Sequence, residues 1–376
     1  MALIKKTFGA FGDYADPSAI WIWLCSLGAL NNDYEFRQVG DCTINNTWPD
    51  VSIAGNRVNL NNHIVDIYCN RDYVINLTGG ASGVMRIRTD NGSYPGCKFN
   101  LSGLNIIQLS SISLNLLQIG EWVSGLANTT IYTLQDITLY GFSNWLSTGF
   151  HMPHNSCVYD VFNCVIYKIL RAIYITESGG GGVDIPDPTR YNQLENITIY
   201  DSGRPPQYAV QTRGDTPNIR KVNYKNIVAC SGSAVKAWPL SINNVSNFIY
   251  NCRDDDGSLD AAIANGFLNA VDCSPSIIVP ADEFQSLDDT NPSFLNLIQG
   301  VGSLDANASP LRGKAPMKVG FNAEALLDGY APNLGKNGAA PQIPGNDEDI
   351  SGNKRPGYDG AYSIGAYEQQ YTNFEG

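Results

Sequence analysis

The sequence predicts an all-β fold: one single-stranded, right-handed parallel β-helix (a solenoid) with an N-terminal capping helix and an irregular C-terminal cap. Three observations predict it. Helical periodicity stops after Leu30. Short apolar runs bounded by Asn, Gly, Ser or Asp then recur down the chain. A corner pattern, Asn or Asp followed by an apolar residue and a β-rich run, recurs at Asn105, Asp136, Asn163, Asn196, Asn226 and Asn247. By subtraction of these positions the spacings are 31, 27, 33, 30 and 21 residues, an irregular solenoid period.

The helix comes first. Asp16 is a suitable N-cap, Pro17 fits the first turn and Gly28 fits the stop. Ile20, Trp23, Leu24 and Leu27 fall at i, i+3, i+4 and i+7 and predict one apolar stripe, without the Lys or Arg that a membrane-surface helix would carry opposite it. The helix is therefore expected to cap the end of a hydrophobic core.

Strands are expected at Val51–Ile53, Ile64–Tyr68, Met85–Ile87, Leu104–Leu109, Ile137–Tyr140, Val165–Tyr167, Ile197–Tyr200, Tyr224–Val228 and Phe248–Tyr250. One coil of short strands cannot bury its inward side chains. Coils stacked at about 4.8 Å pair in parallel and align inward Ile, Val and Leu into ladders. Asn tolerates the left-handed backbone that a sharp corner requires. Gly179–Gly182 and Arg204-Pro205-Pro206 read as surface loops, since no Lys-Ser/Thr follows the glycines to make a phosphate cradle. From Ser274 the repeats fade and Pro, Gly, Asn and Asp rise. The expected organisation is residues 1–40 as entry strand and capping helix, 41–273 as coils, and 274–376 as irregular terminal coils and cap.

Composition narrows the function classes. The chain has 376 residues, 24 basic against 36 acidic, for a net charge of −12. No Lys/Arg cluster offsets that charge, which disfavours nucleic acid and anionic membrane as partners. Ile20 to Leu30 is too short to span a bilayer and lacks the basic flank of a secretory signal. The nine cysteines form no Cys-x-x-Cys pair and read as buried thiols of a protein assembled in a reducing cytoplasm.

Both ends carry a resemblance. Ala308-Ser309-Pro310-Leu311-Arg312-Gly313, then Asp349-Ile350-Ser351-Gly352-Asn353-Lys354-Arg355-Pro356, then Ser363-Ile364-Gly365-Ala366-Tyr367-Glu368 resemble the terminal segment of right-handed parallel β-helix repeat proteins of bacterial surfaces and phages. That family often has Asp where this chain has Ser363. Gly9-Ala10-Phe11-Gly12-Asp13-Tyr14, followed by a helix, resembles the entry into phage virion (decoration and tailspike-like) β-helix proteins. The resemblance implies the fold and a homotrimer. Trp48, Trp122, Trp145 and Trp238 are candidate flank anchors for it, since aromatic residues are enriched at interface cores. The alternative is that they stack inside the coils or cover loops.

Since β-helices of this kind often act on polysaccharides, chemistry was sought. Inverting hydrolysis needs paired carboxylates about 6.5–9.5 Å apart. Asp254, Asp255 and Asp256, with Glu177 or Glu195, are candidates, but an Asp-rich turn ending at Gly257 also suits a solvated corner. The Gly-His-Gly and Arg-x-Lys motifs of polygalacturonase-like β-helices are missing, as is a Gly-x-Ser-x-Gly elbow. His63 stands alone. His151-Met152-Pro153-His154 reads as a loop rather than a metal site. No catalytic residue, metal ligand or cofactor is therefore assigned. The expected function is a non-catalytic structural protein of a phage virion surface, a capsid decoration or a tail-associated element, made in the host cytoplasm without a signal peptide or separate anchor. Its expected partners are other virion proteins. The alternatives are a tailspike-like protein that binds or depolymerises host surface glycan, and a bacterial surface adhesin.

Overall fold

A computed structural model describes residues 2–44, 48–49, 53–78, 85–89, 97–109, 115–119, 130–141, 147–153, 158–176, 192–202, 209–213, 222–230, 246–249, 252–253, 268–271, 284, 286–290 and 350. The fold is an all-β parallel solenoid, and every strand pairing in it is parallel among the described residues.

The elements run β1 (Leu3–Phe8), α1 (Pro17–Ser26), β2 (Asp33–Gln38), β3 (Cys42–Ile44), β4 (Ile64–Tyr68), β5 (Ile75–Leu77), β6 (Met85–Ile87), β7 (Lys98–Ser102), β8 (Asn105–Gln108), β9 (Asn115–Ile119), β10 (Ile131–Gln135), β11 (Thr138–Tyr140), β12 (Thr148–Pro153), β13 (Val158–Tyr167), β14 (Arg171–Thr176), β15 (Asn192–Tyr200), β16 (Val210–Arg213), β17 (Val222–Ala229), β18 (Ser246–Ile249), β19 (Cys252–Arg253) and β20 (Leu268–Val271). They sort into three faces. The first stacks β1, β2, β4, β7, β10 and the first half of β13, then β15, β17, β18 and β20. The second stacks β3, β5, β8, β11 and the second halves of β13, β15 and β17, then β19, and the third stacks β6, β9, β12, β14 and β16.

The register explains why these residues form these strands. On the first face Phe36, Ile67, Leu101, Leu134, Val161, Leu194 and Tyr224 align coil by coil, each buried. On the second, Cys42, Ile75, Ile106, Leu139, Ile166, Ile199 and Ala229 do the same. On the third, Met85, Leu117, Phe150, Ile173 and Val210 do so. Each large apolar side chain in these rows stabilises the fold by about 1.5–3 kcal/mol through burial. A one-residue slip would turn a whole row outward, so the rows fix the register.

The corner between the first and second faces is a row of its own. Asp136, Asn163 and Asn196 have φ of 55°, 53° and 55° and occupy successive coils, as expected for the corner pattern. Asn163 Nδ2 donates to Asp136 Oδ1 at 3.3 Å. Two of the looser copies fall elsewhere. Asn105 aligns with Thr138 and Asn247 with Asn223, so neither is in the corner row. In the β7–β8 coil the corner is Gly103, with φ 72° and a Cβ position only 2.1 Å from the Cys69 carbonyl oxygen, where no side chain fits.

The helix is capped as the sequence predicts. Asp16 Oδ1 accepts from the Ser18 and Ala19 backbone amides at 2.8 and 3.0 Å, and Gly28 ends the helix at φ 69°. Its buried stripe is Pro17, Ile20, Trp21 and Leu24, not the stripe through Trp23 and Leu27. Trp21 lies 5.9 Å from both Trp48 and Phe99 and donates through Nε1 to the Asn56 carbonyl at 2.9 Å. Trp23 is half-buried against Tyr14, Tyr34 and Phe36, and Leu27 is exposed. Trp48 is buried in the core and so is not a flank anchor. Trp122, Trp145 and Trp238 lie outside the described residues. Of the strand expected at Val51–Ile53, the first two residues lie outside the described residues, and Ile53 is an exposed bend.

The Gly9–Tyr14 stretch has a local physical account. The chain leaves β1 in a tight turn: Asp13 Oδ2 accepts from the Thr7 amide at 2.9 Å, and the Tyr14 amide donates to the Thr7 carbonyl. Gly9, at φ 107°, sits where a Cβ would be 2.3 Å from the Gly40 carbonyl oxygen.

Candidate functional site

The candidates from sequence separate clearly. Asp254, Asp255, Asp256, Glu177, His154 and Gly179–Gly182 lie outside the described residues, as do the C-terminal family motifs apart from Ile350, which is buried. Glu195 is buried on β15, aligned between Phe162 and Lys225. Asp160, the acidic residue one diagonal step away on β13, is buried too. A polymer chain cannot reach carboxylates this enclosed. His63 is a latch: its Nδ1 is 3.1 Å from Asp33 Oδ1, and the same oxygen accepts from the Ile64 amide.

His151 is different, and the loop reading of its segment is corrected. His151, Met152 and Pro153 end strand β12, with Pro153 as its last residue, a place where the missing donor is tolerated. Alternation along the third face sends Phe150 and Met152 inward and His151 outward. Strand pairing then places Arg86, Gln118, His151, Tyr174 and Gln211 in one outward row across five coils. Parallel neighbours stand about 4.8 Å apart.

The row is sheltered as well as outward. Gln118 and Tyr174 are each 9% exposed, and Arg86, His151, Arg171 and Gln211 are half-buried. Tyr174 packs against two neighbours, with the His151 ring stacked 5.2 Å away at 17° and the Arg171 guanidinium carbon 4.0 Å from its centroid. Asn115 Nδ2 donates to His151 Nδ1 at 3.0 Å, which suits a neutral imidazole. Burial first, then the positive fields of Arg171 and Arg86, push the His151 pKa down to about 4. Both guanidinium groups therefore act on the space around one imidazole. Arg86 Nε, Arg171 Nε and Gln211 Oε1 are buried without a hydrogen-bond partner among the described residues.

This arrangement has no nucleophile and no acid–base pair. It offers two guanidinium groups and side-chain amides that both donate and accept, in a sheltered row, which is the chemistry of a binding surface. No group of three His, Cys, Asp or Glu side chains suited to a metal ion occurs among the described residues. In the sequence His151 stands beside His154, and nothing there marks its ladder partners. Their spacings of 32, 33, 23 and 37 residues, by subtraction, follow loop lengths and form no motif.

Among the cysteines, Cys25, Cys42, Cys69, Cys97, Cys164 and Cys230 are free thiols, four of them buried. Burial pushes Cys25 up to about 11 and Cys42 up to about 12, so they are poor nucleophiles. No helix among the described residues is long and apolar enough to cross a membrane. No family model matches the chain, and no curated protein or solved structure matches it.

Proposed function

We propose that the protein is a rigid, non-catalytic structural element of a phage virion surface, either a capsid decoration or a tail-associated solenoid. The observation that carries this reading is the single hydrophobic core running from α1 through β17, with three inward ladders in register. Such a core resists bending because each coil is locked to its neighbours by backbone pairing on three faces. The virion placement is supported by the resemblance of Gly9–Tyr14 and of the C-terminal segments to phage β-helix proteins. The enclosure of Asp160 and Glu195 supports a non-catalytic role.

Electron cryo-microscopy of purified particles tests the reading. Solenoid density of this diameter on the capsid or the tail, with peptides of this chain in the same particles, is the expected result. Absence of the chain from every particle fraction overturns it. Light scattering on the purified chain tests the accompanying trimer, for which the expected mass is about three times the 40.9 kDa of one chain.

A second reading, a surface element that holds host glycan without cleaving it, is favoured by one observation: the sheltered outward row of Arg86, Gln118, His151, Tyr174 and Gln211, with Arg171 beside Tyr174. An elongated polar row matches the shape of an extended saccharide.

A further inference from the structure

We infer that the outward row of the third face binds a carboxylate-bearing saccharide, with Arg86 and Arg171 holding the acid group and Gln118 and Gln211 holding hydroxyls. The inference rests on the second reading above and names its ligand class.

The case begins with charge. The chain carries −12, yet Arg86 and Arg171 make no ion pair among the described residues. Elsewhere Arg37 pairs with Glu35 at 2.7 Å, and Lys168 pairs with Asp289. An acidic protein that leaves two sheltered arginines unneutralised around one imidazole holds a local positive site. The buried, unpartnered Nε atoms of Arg86 and Arg171 point to a missing acceptor, because a sheltered donor without a partner is costly. Guanidinium geometry suits a carboxylate.

The neutral groups say what surrounds that acid. Gln118 is 9% exposed and makes no hydrogen bond among the described residues, and Gln211 Oε1 is a buried acceptor without a donor. Amides donate and accept at once, which is what hydroxyl groups need. A bare inorganic anion would use the arginines and leave the amides idle. An acidic peptide would bring its own backbone donors and acceptors but would not call for a row of side-chain amides. Tyr174 is not a stacking platform, since His151 and Arg171 already pack against its ring. It fixes Arg171 in place, and Asn115 fixes the imidazole.

The experiment uses the full chain and calorimetric titration with a panel of short oligosaccharides containing uronate or sialate, their methyl esters, and sodium sulfate. The variants are Arg86→Gln and Arg171→Gln, each checked for an unchanged melting temperature. Should Arg171→Gln disturb folding through Tyr174, Arg86→Gln alone decides. The expected result is binding of an acidic oligosaccharide that weakens about tenfold or more in the ester and in each variant, with sulfate weaker still. Equal binding of the ester overturns the role of the charges. Sulfate binding as tightly as the saccharide reduces the site to an anion pocket and overturns the ligand class. Binding untouched by both substitutions places any glycan elsewhere, so this site falls and the glycan reading stands. No binding across the panel removes both.

Discussion

The outer surface of the first face changes character along the stack. On β4, β7 and β10, buried inward residues alternate with half-exposed or exposed outward ones. On β13 and β15 nearly every residue is buried on both sides. Ser102, Gln135 and Phe162 occupy the same outward row in successive coils, yet the first two are half-exposed and Phe162 is 1% exposed. Val158, Phe162, Val165 and Val228 are buried but do not belong to the main core. Val158 and Phe162 therefore form a buried apolar patch on the outside of β13. The same outward row continues into the buried Glu195 on β15, so one backbone ladder presents an open polar surface in its early coils and a covered one of mixed apolar and polar side chains in its later coils.

The sharpest way to break this comparison is to put the same charge on both stretches of that row. Phe162→Asp buries an unpaired carboxylate, at a cost on the order of 5 kcal/mol or more, and the chain should be recovered insoluble or unfolded. Ser102→Asp should stay within about 0.5 kcal/mol of the parent in chemical denaturation. Equal tolerance would show that the outer patch on β13 does not contribute to folding.

Titration extends the comparison to the third face next, because a group there and one on the first face respond with opposite signs. On β4, burial raises the Asp66 pKa against the Asn100 hydrogen bond, so its folded carboxyl holds a proton more readily than the unfolded one. Its contribution to stability therefore grows as pH falls. On β12, His151 is held neutral down to about pH 4, whereas the unfolded imidazole protonates near 6.5. Its contribution is present above 6.5 and is lost as pH falls from there through about 4, to a limit of roughly 3 kcal/mol. Melting curves of the parent and His151→Gln between pH 7 and 4 should converge as the parent loses this term. Parallel curves would mean that His151 is charged in the folded state.

A smaller effect probes the second face. Thr138, Val165 and Thr198 share an outward row, and Val165 is the buried apolar member between two threonines. Val165→Thr keeps the shape and adds a hydroxyl, which should cost about 1–2 kcal/mol if its surroundings are apolar. A neutral result would show a hydroxyl partner already in place.

How much of this was legible follows from what each element writes into sequence. The cap was legible because Asp16, Pro17 and Gly28 act through their own backbone and side-chain chemistry. The buried stripe was not, because Trp21 and Trp23 each extend a plausible set at i, i+3 and i+4. Only the contacts with Trp48 and Phe99 choose between them. The corner was legible at Asp136, Asn163 and Asn196, whose side chains mark a left-handed backbone. It was invisible at Gly103, since a glycine looks alike in any turn. The third-face strands β9, β12, β14 and β16 were missed because no corner Asn precedes them and polar residues interrupt their apolar runs. The binding row went with them, because its members meet only once the intervening loops have set the register.

The smallest predicted effect concerns the segment that reaches the later coils from the far end of the chain. Lys168 stands at the corner after β13, with its Nζ paired to Asp289 and 5.3 Å from the Tyr140 ring, which stacks on Tyr167 at 4.7 Å. Burial is the largest single influence and lowers the lysine pKa, but the hydrogen bond and charge of Asp289 and the contacts with Tyr140 together outweigh it and the net shift is upward, so the ammonium stays charged across the physiological range. The pair is partly open to solvent, with side chains 29% and 21% exposed, and is worth no more than about 1 kcal/mol. Lys168→Met keeps the length and removes the charge, so global stability should barely move. Amide exchange within 286–290 should rise if that pair holds the segment against the coils. Asp288, whose carboxylate accepts from the Thr290 amide at 3.0 Å and is lowered by that bond, keeps the local turn intact in the variant. Faster exchange would therefore report undocking rather than local unfolding. Unchanged exchange would mean that the segment is held by apolar burial around Phe284, which is 3% exposed, and that the ion pair only decorates that apolar contact.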